Sequence, residues 1–185
     1  VISAHSTIAR PLADRLRQPG GYQVQRLNRP TEKYELRLRS GVLPGDMQDL
    51  LNRIQPFQPP IIPDVELPAG VDAELHLGDS RPFGHWNLHI HSDSPILTDT
   101  LRNGLSALDF NSHSLEEHYG PQENNQMQYG GASALARHII QWLLQPHGLS
   151  LTENKEWDDG DQDIYIRAKD PSATPLAQRF RVLIR

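Results

Sequence analysis

Gly84-His85-Trp86-Asn87-Leu88-His89-Ile90-His91-Ser92-Asp93-Ser94-Pro95 decides how the rest of the chain is read. From Trp86 to His91 apolar and polar residues alternate, the two-residue period of a half-buried strand. Trp86, Leu88 and Ile90 fall on one side, and His89, His91 and Asp93 on the other. Ser94 followed by Pro95 then opens a helix, because proline fits the first helical turn. Leu97, Leu101, Leu105 and Leu108 continue that helix as one apolar stripe.

An earlier stretch echoes this one. Tyr34-Glu35-Leu36-Arg37-Leu38-Arg39-Ser40 matches Trp86-Asn87-Leu88-His89-Ile90-His91-Ser92 in residue type at all but the second position. Each stretch is read with a strand before it and a helix after it, which suggests a duplicated strand–strand–helix unit. The helix after the first copy carries Met47, Leu50, Leu51 and Ile54 on one face, with Asp46 as a possible cap. Residues 6–17 form a further helix through Ile8, Leu12 and Leu16, despite Pro11. Tyr22 to Leu27 reads as a strand. The strongest helical pattern runs from about Ala132 to Gln145, with Leu135, Ile139, Trp142 and Leu143 inward, and stops at Pro146-His147-Gly148. Leu149–Trp157 and Gln162–Ala168 read as a hairpin, and Phe180, Val182 and Ile184 as a last strand. The expected fold is α+β: antiparallel sheets with helices on one face, built from repeated strand–strand–helix units.

Pro56 to Pro68 holds five prolines, which cannot enter a central sheet. We therefore expect residues 1–55 to form a first unit, 56–70 a proline-rich connection and 71–185 the main unit, with one continuous domain as the alternative.

Composition excludes several functions. The chain has 185 residues, 18 basic and 23 acidic, and a net charge of −5. That acidity argues against a binder of duplex nucleic acid, which neutralises phosphates with a basic excess. There is no cysteine, so disulfides, zinc–thiolate sites and thiol catalysis are excluded. No apolar run is long enough to cross a bilayer as a helix. Val1 opens the chain without methionine and without a signal-peptide pattern, which reads as a fragment of a longer, cytoplasmic protein.

His89, His91 and Asp93 at two-residue spacing are candidate metal ligands, with His76 from a neighbouring strand as a fourth. Imidazoles and a carboxylate suit zinc, manganese or iron. Asn87-Leu88-His89-Ile90-His91-Ser92-Asp93-Ser94 resembles the opening motif of the PHP-type phosphoesterases, which carry a His-x-His pair on their first strand. The resemblance implies a metal-dependent hydrolase and covers about eight residues. Where that family has aspartate before the leucine, this chain has Asn87, and the family's further ligands are spread over a long barrel. Metallo-β-lactamase-like enzymes share a His-x-His-x-Asp core, but follow it with histidine where Ser94 stands here. The echo points elsewhere. If Arg37 and Arg39 share the equivalent face, that face is solvated, His89 and His91 are exposed and metal-free, and Asp93 is a cap residue.

Asp159, Asp161 and Asp163 have the spacing of a calcium loop, but Ile164 stands where the loop requires glycine, so a hairpin turn at Gly160 explains them. Tyr129-Gly130-Gly131-Ala132-Ser133 offers free amides at a helix start, with Arg137 one turn on, but no phosphate-loop lysine follows. No Gly-x-Ser-x-Gly occurs. His138 is placed on the helix flank and His147 near its end. The leading expectation is a non-catalytic protein-binding or adaptor module that needs no cofactor and docks a protein partner through Phe57, Ile61, Ile62 and Val65. The alternatives are the metal-dependent hydrolase and an acidic inhibitor or immunity-type protein presenting Asp158, Asp159, Asp161 and Asp163.

Overall fold

The computed structural model describes residues 1–18, 21–27, 31–78, 87–107, 115–119, 124–130, 134–155 and 163–169. The first half runs β1 (Ile2–Ala4), α1 (Ser6–Leu16), β2 (Arg26–Leu27), β3 (Tyr34–Leu38), α2 (Pro44–Ile54), β4 (Ile61–Ile62) and β5 (Ala73–Leu77). The second repeats that order: β6 (Asn87–Ser92), α3 (Pro95–Ser106), β7 (Leu115–Tyr119), β8 (Gln126–Tyr129), α4 (Ala134–Leu144), β9 (Thr152–Lys155) and β10 (Asp163–Ala168).

Each half makes one five-stranded sheet, ordered β2-β1-β5-β3-β4 and β7-β6-β10-β8-β9. Strand for strand the two orders coincide. So do the senses: in each sheet three ladders are parallel, and the remaining one, β3–β5 or β8–β10, is antiparallel. The fold is thus α+β with mixed sheets, and the expected antiparallel sheets of strand–strand–helix units are corrected. Parallel neighbours cannot be joined by a tight turn and need a crossover, which the helices supply. Four strand–helix–strand crossovers result, two flanking the central strand of each sheet.

This arrangement explains the echo. β3 and β6 do not occupy the same place in the two halves, since β3 corresponds to β8 and β6 to β1. Both, however, open a crossover and lie beside a central strand. They share a pattern because they meet the same demand: Leu36, Leu38, Leu88 and Ile90 are all buried.

A parallel crossover is almost always right-handed. Within a half the two crossovers step outward in opposite directions from antiparallel strands, so the rule sets both helices on one face. Register and burial agree. Ile2 and Leu36 both lie opposite Leu75, and all three are buried. Ile90 and Met127 both lie opposite Ile166, again all buried. Ile8, Leu12 and Leu16 of α1, Leu50 and Ile54 of α2, Leu97, Leu101 and Leu105 of α3, and Leu135, Ile139 and Leu144 of α4 complete the core.

Local signals act mostly as expected. Pro95 and Pro44 open their helices, so α2 starts at Leu43-Pro44 and Asp46 lies in its first turn rather than capping it. The short 3-10 turn after α4 ends at Gly148, whose φ of +71° suits glycine. Two expectations fail. The proline run does not divide the chain between sheets, because β5, which follows it, pairs with β1 and β3, which precede it. Nor do β9 and β10 form a hairpin: β8 lies between them. Trp86, the acidic turn 158–161 and the final strand at Phe180, Val182 and Ile184 lie outside the described residues, as do Gly131 to Ser133.

Leu88 has no exposed surface and faces α3. Leu88→Ala should therefore cost about 2–5 kcal/mol, the range for an emptied leucine site, in a urea titration. A loss under about half a kcal/mol, typical of a surface position, would contradict this placement.

Candidate functional site

The residues chosen from sequence as metal ligands do not converge. His89 and His91 occupy the face of β6 turned away from the helices. They are half-buried rather than exposed, because β7 and β10 flank them and His89 stacks on Tyr165 with ring centroids 4.3 Å apart. Asp93 follows the strand, next to the Ser94 cap of α3. His76 is on β5 in the other sheet, beside Glu74 at 3.4 Å. Its expected place on a strand next to β6 is corrected. Among the described residues no group of three or more His, Asp or Glu side chains is arranged to hold a metal ion.

The proline-rich residues separate into two kinds. Phe57 is 1% exposed and packs on Trp142 with ring centroids 5.4 Å apart, so it belongs to the core and is removed from the docking set. Ile61 and Ile62 form β4 and remain 37% and 41% exposed, while Val65 is half-buried. Among the described residues β4 pairs with β3 alone and ends the sheet. The Pro60 carbonyl accepts the Leu36 amide at 2.9 Å, which seats the strand.

Between these two sets lies an arrangement that the sequence did not disclose. A cleft of about 550 Å³ opens between the halves, lined by Gln55, Pro56 and Gln58 on one side and by Arg137, His138 and Glu153 on the other. Tyr34, at the start of β3, reaches across it. Its hydroxyl lies 2.5 Å from His138 Nδ1 and accepts the Gln58 backbone N–H at 3.0 Å. Arg15 of α1 donates to the Gln55 carbonyl at 2.7 Å and to Gln145 at 3.0 Å, while its guanidinium lies over the Trp142 ring. Arg137 Nη1 is paired with Glu153 and donates to the Tyr129 hydroxyl at 3.0 Å.

Burial decides the protonation state of this cluster. It pushes the Tyr34 hydroxyl above its ordinary range. His138 is lowered, first by burial and then by Arg137, against an opposing pull from Glu153. Both groups are therefore neutral near pH 7 and one proton lies between them. The Tyr34 oxygen already accepts from Gln58, so the consistent assignment has Tyr34 donating to Nδ1 and the imidazole proton on Nε2. His138 is thus a buried partner at the junction of the halves, only 9% exposed, and its expected place on the helix flank is corrected. His147 bonds Thr100 at 3.2 Å just past α4. One signal was available: His138 adjoins Ile139 in a helix whose apolar residues extend well beyond a single stripe.

No protein-family model, curated protein or solved structure matches this chain.

Tyr34→Phe strips His138 Nδ1 of its partner in a buried setting, which should lower stability by about 1–3 kcal/mol. Stability should also depend on pH. A histidine lowered in the folded state contributes in full above its ordinary value of about 6.5 and loses that contribution as pH falls through the folded value. Urea midpoints should therefore decline below about pH 6.5, and His138→Gln should flatten the decline.

Proposed function

We propose that the chain is a non-catalytic protein-binding module that docks a partner through Ile61 and Ile62. The observation that carries this reading is the exposure of two consecutive isoleucines on an edge strand, 37% and 41%, while the core residues around them are closed. An edge strand can recruit a partner through its backbone or through its side chains. Pro60 and Pro63 flank β4 and have no N–H to offer, so the backbone route is blunted and the side chains remain. Prolines also restrict the segment before it binds, which lowers the entropy lost on docking. The partner expected is a protein with an apolar groove wide enough for two isoleucines on an extended strand. The metal-hydrolase reading keeps only His89, His91 and Asp93, and the acidic-inhibitor reading rests on residues outside those described.

Ile61→Ser with Ile62→Ser should weaken capture of a co-purifying partner. About two-fifths of each isoleucine remains for a partner to cover, so the pair contributes roughly 1.2–2.4 kcal/mol, a loss of about eight- to sixtyfold in affinity. The thermal midpoint should move far less than for a core isoleucine, since part of each side chain already meets water. Leu43→Ser and Ile96→Ser, at sites 65% and 63% exposed, serve as controls and should retain the same partner. Equal loss in all variants, or full capture by the double variant, would refute this surface.

A further inference from the structure

The junction of the two halves carries a device independent of that docking surface. We propose that His138 is a pH-operated latch: neutral, it holds Tyr34 and through it residues 55–58 against α4, and on protonation it lets them go.

The latch follows from which atoms share a proton. Tyr34 has one hydrogen to give and gives it to His138 Nδ1 across 2.5 Å, while its oxygen accepts the Gln58 N–H. A protonated imidazole carries hydrogen on both nitrogens. Nδ1 then becomes a donor and the Tyr34 proton loses its acceptor, so the bond must reverse, and the charged Nδ1–H competes with the Gln58 N–H for the Tyr34 oxygen. Charge opposes protonation as well. The groups facing His138 are Tyr34 from β3, Arg137 from its own helix and Glu153 from β9. Arg137 already pairs with Glu153, so among the described residues a new cation must share Glu153 with Arg137 and draw the rest of its stabilisation from water. The cleft supplies that water, because His138 lines it.

What moves is set by the remaining contacts. Gln55 to Gln58 is held to Tyr34 of β3 by the Gln58 N–H, to α4 by Phe57–Trp142, and to α1 by Arg15–Gln55. Removing the first leaves the Phe57–Trp142 ring contact and the arginine, so the expected change is local opening rather than unfolding. β5 lies in the same half but takes no part in the latch, since the Leu75 N–H bonds the Val1 carbonyl.

Amide hydrogen exchange by NMR on the intact chain tests this. Between about pH 7.5 and about pH 4.5, spanning the histidine range, protection of the Gln58 amide should fall at least about tenfold after correction for intrinsic exchange, while Leu75 keeps its protection. The His138 ring nitrogens should titrate over the same interval. In His138→Gln, Gln58 protection should become independent of pH. Unchanged Gln58 protection in the wild-type chain would overturn the latch, as would loss in step with Leu75. So would imidazole titration with no accompanying change at Gln58, a result that needs no variant to fold. A pH response surviving intact in His138→Gln would overturn it too. Because none of these readouts involves a partner, their failure is separable from failure of the docking surface.

Discussion

The last strand of each half occupies the middle of its sheet, and the rest of the structure depends on that placement. β1 and β3 do not touch; β5 lies between them and pairs with both. β10 does the same for β6 and β8. Each half therefore consists of two local crossovers that become one sheet only when the final strand enters. The Val1 amino group bonding the Ala73 carbonyl at 2.8 Å spans nearly the whole first half. Loop closure of that length is costly and slow relative to forming a crossover, so closing the sheet is the natural late step. Once in place, the central strand has neighbours on both edges and helices over one face. That accounts for the complete burial of Ile164, Ile166 and Ala168 and the near-complete burial of Leu75 and Leu77.

The same constraint explains what the sequence disclosed and what it hid. All four helices were legible, because each carries an apolar stripe, with three or more large residues buried in α1, α3 and α4 and Leu50 and Ile54 buried in α2, and each is marked by proline or glycine at an end. β3 and β6 were legible from alternation, and β10 as one arm of the expected hairpin. Three others were read poorly or not at all. Ile61–Ile62 is two residues long, too short for a period, Arg26–Leu27 is only the end of the longer stretch Tyr22–Leu27, and β8 buries only Met127 among two glutamines and a tyrosine. With β8 unread, β9 and β10 looked like neighbours, and an antiparallel hairpin was inferred where a parallel pair and an intervening strand exist. Strand pairing is a non-local property, and turn chemistry at residues 158–163 carried no information about it.

The candidate site residues divide along the same line. Exposed Ile61 and Ile62 were legible because prolines around isoleucines are unusual and local. The cleft cluster was not, since Tyr34 and His138 lie 104 positions apart and meet only through packing of the two halves. Phe57 was misassigned for the opposite reason: its proline neighbours marked a surface connection, yet Trp142 covers its ring. Residues 55–62 thus begin gripped by the second half and end as an exposed edge strand.

Interstrand contacts measured by NMR on the isotopically labelled protein address the arrangement most directly. Close Hα–Hα contacts mark antiparallel neighbours. They should appear between β3 and β5 and between β8 and β10, and be absent between β9 and β10. A set of Hα–Hα contacts joining β9 to β10 would make them a hairpin, displace β10 from the centre of its sheet, and contradict the shared order of the two halves.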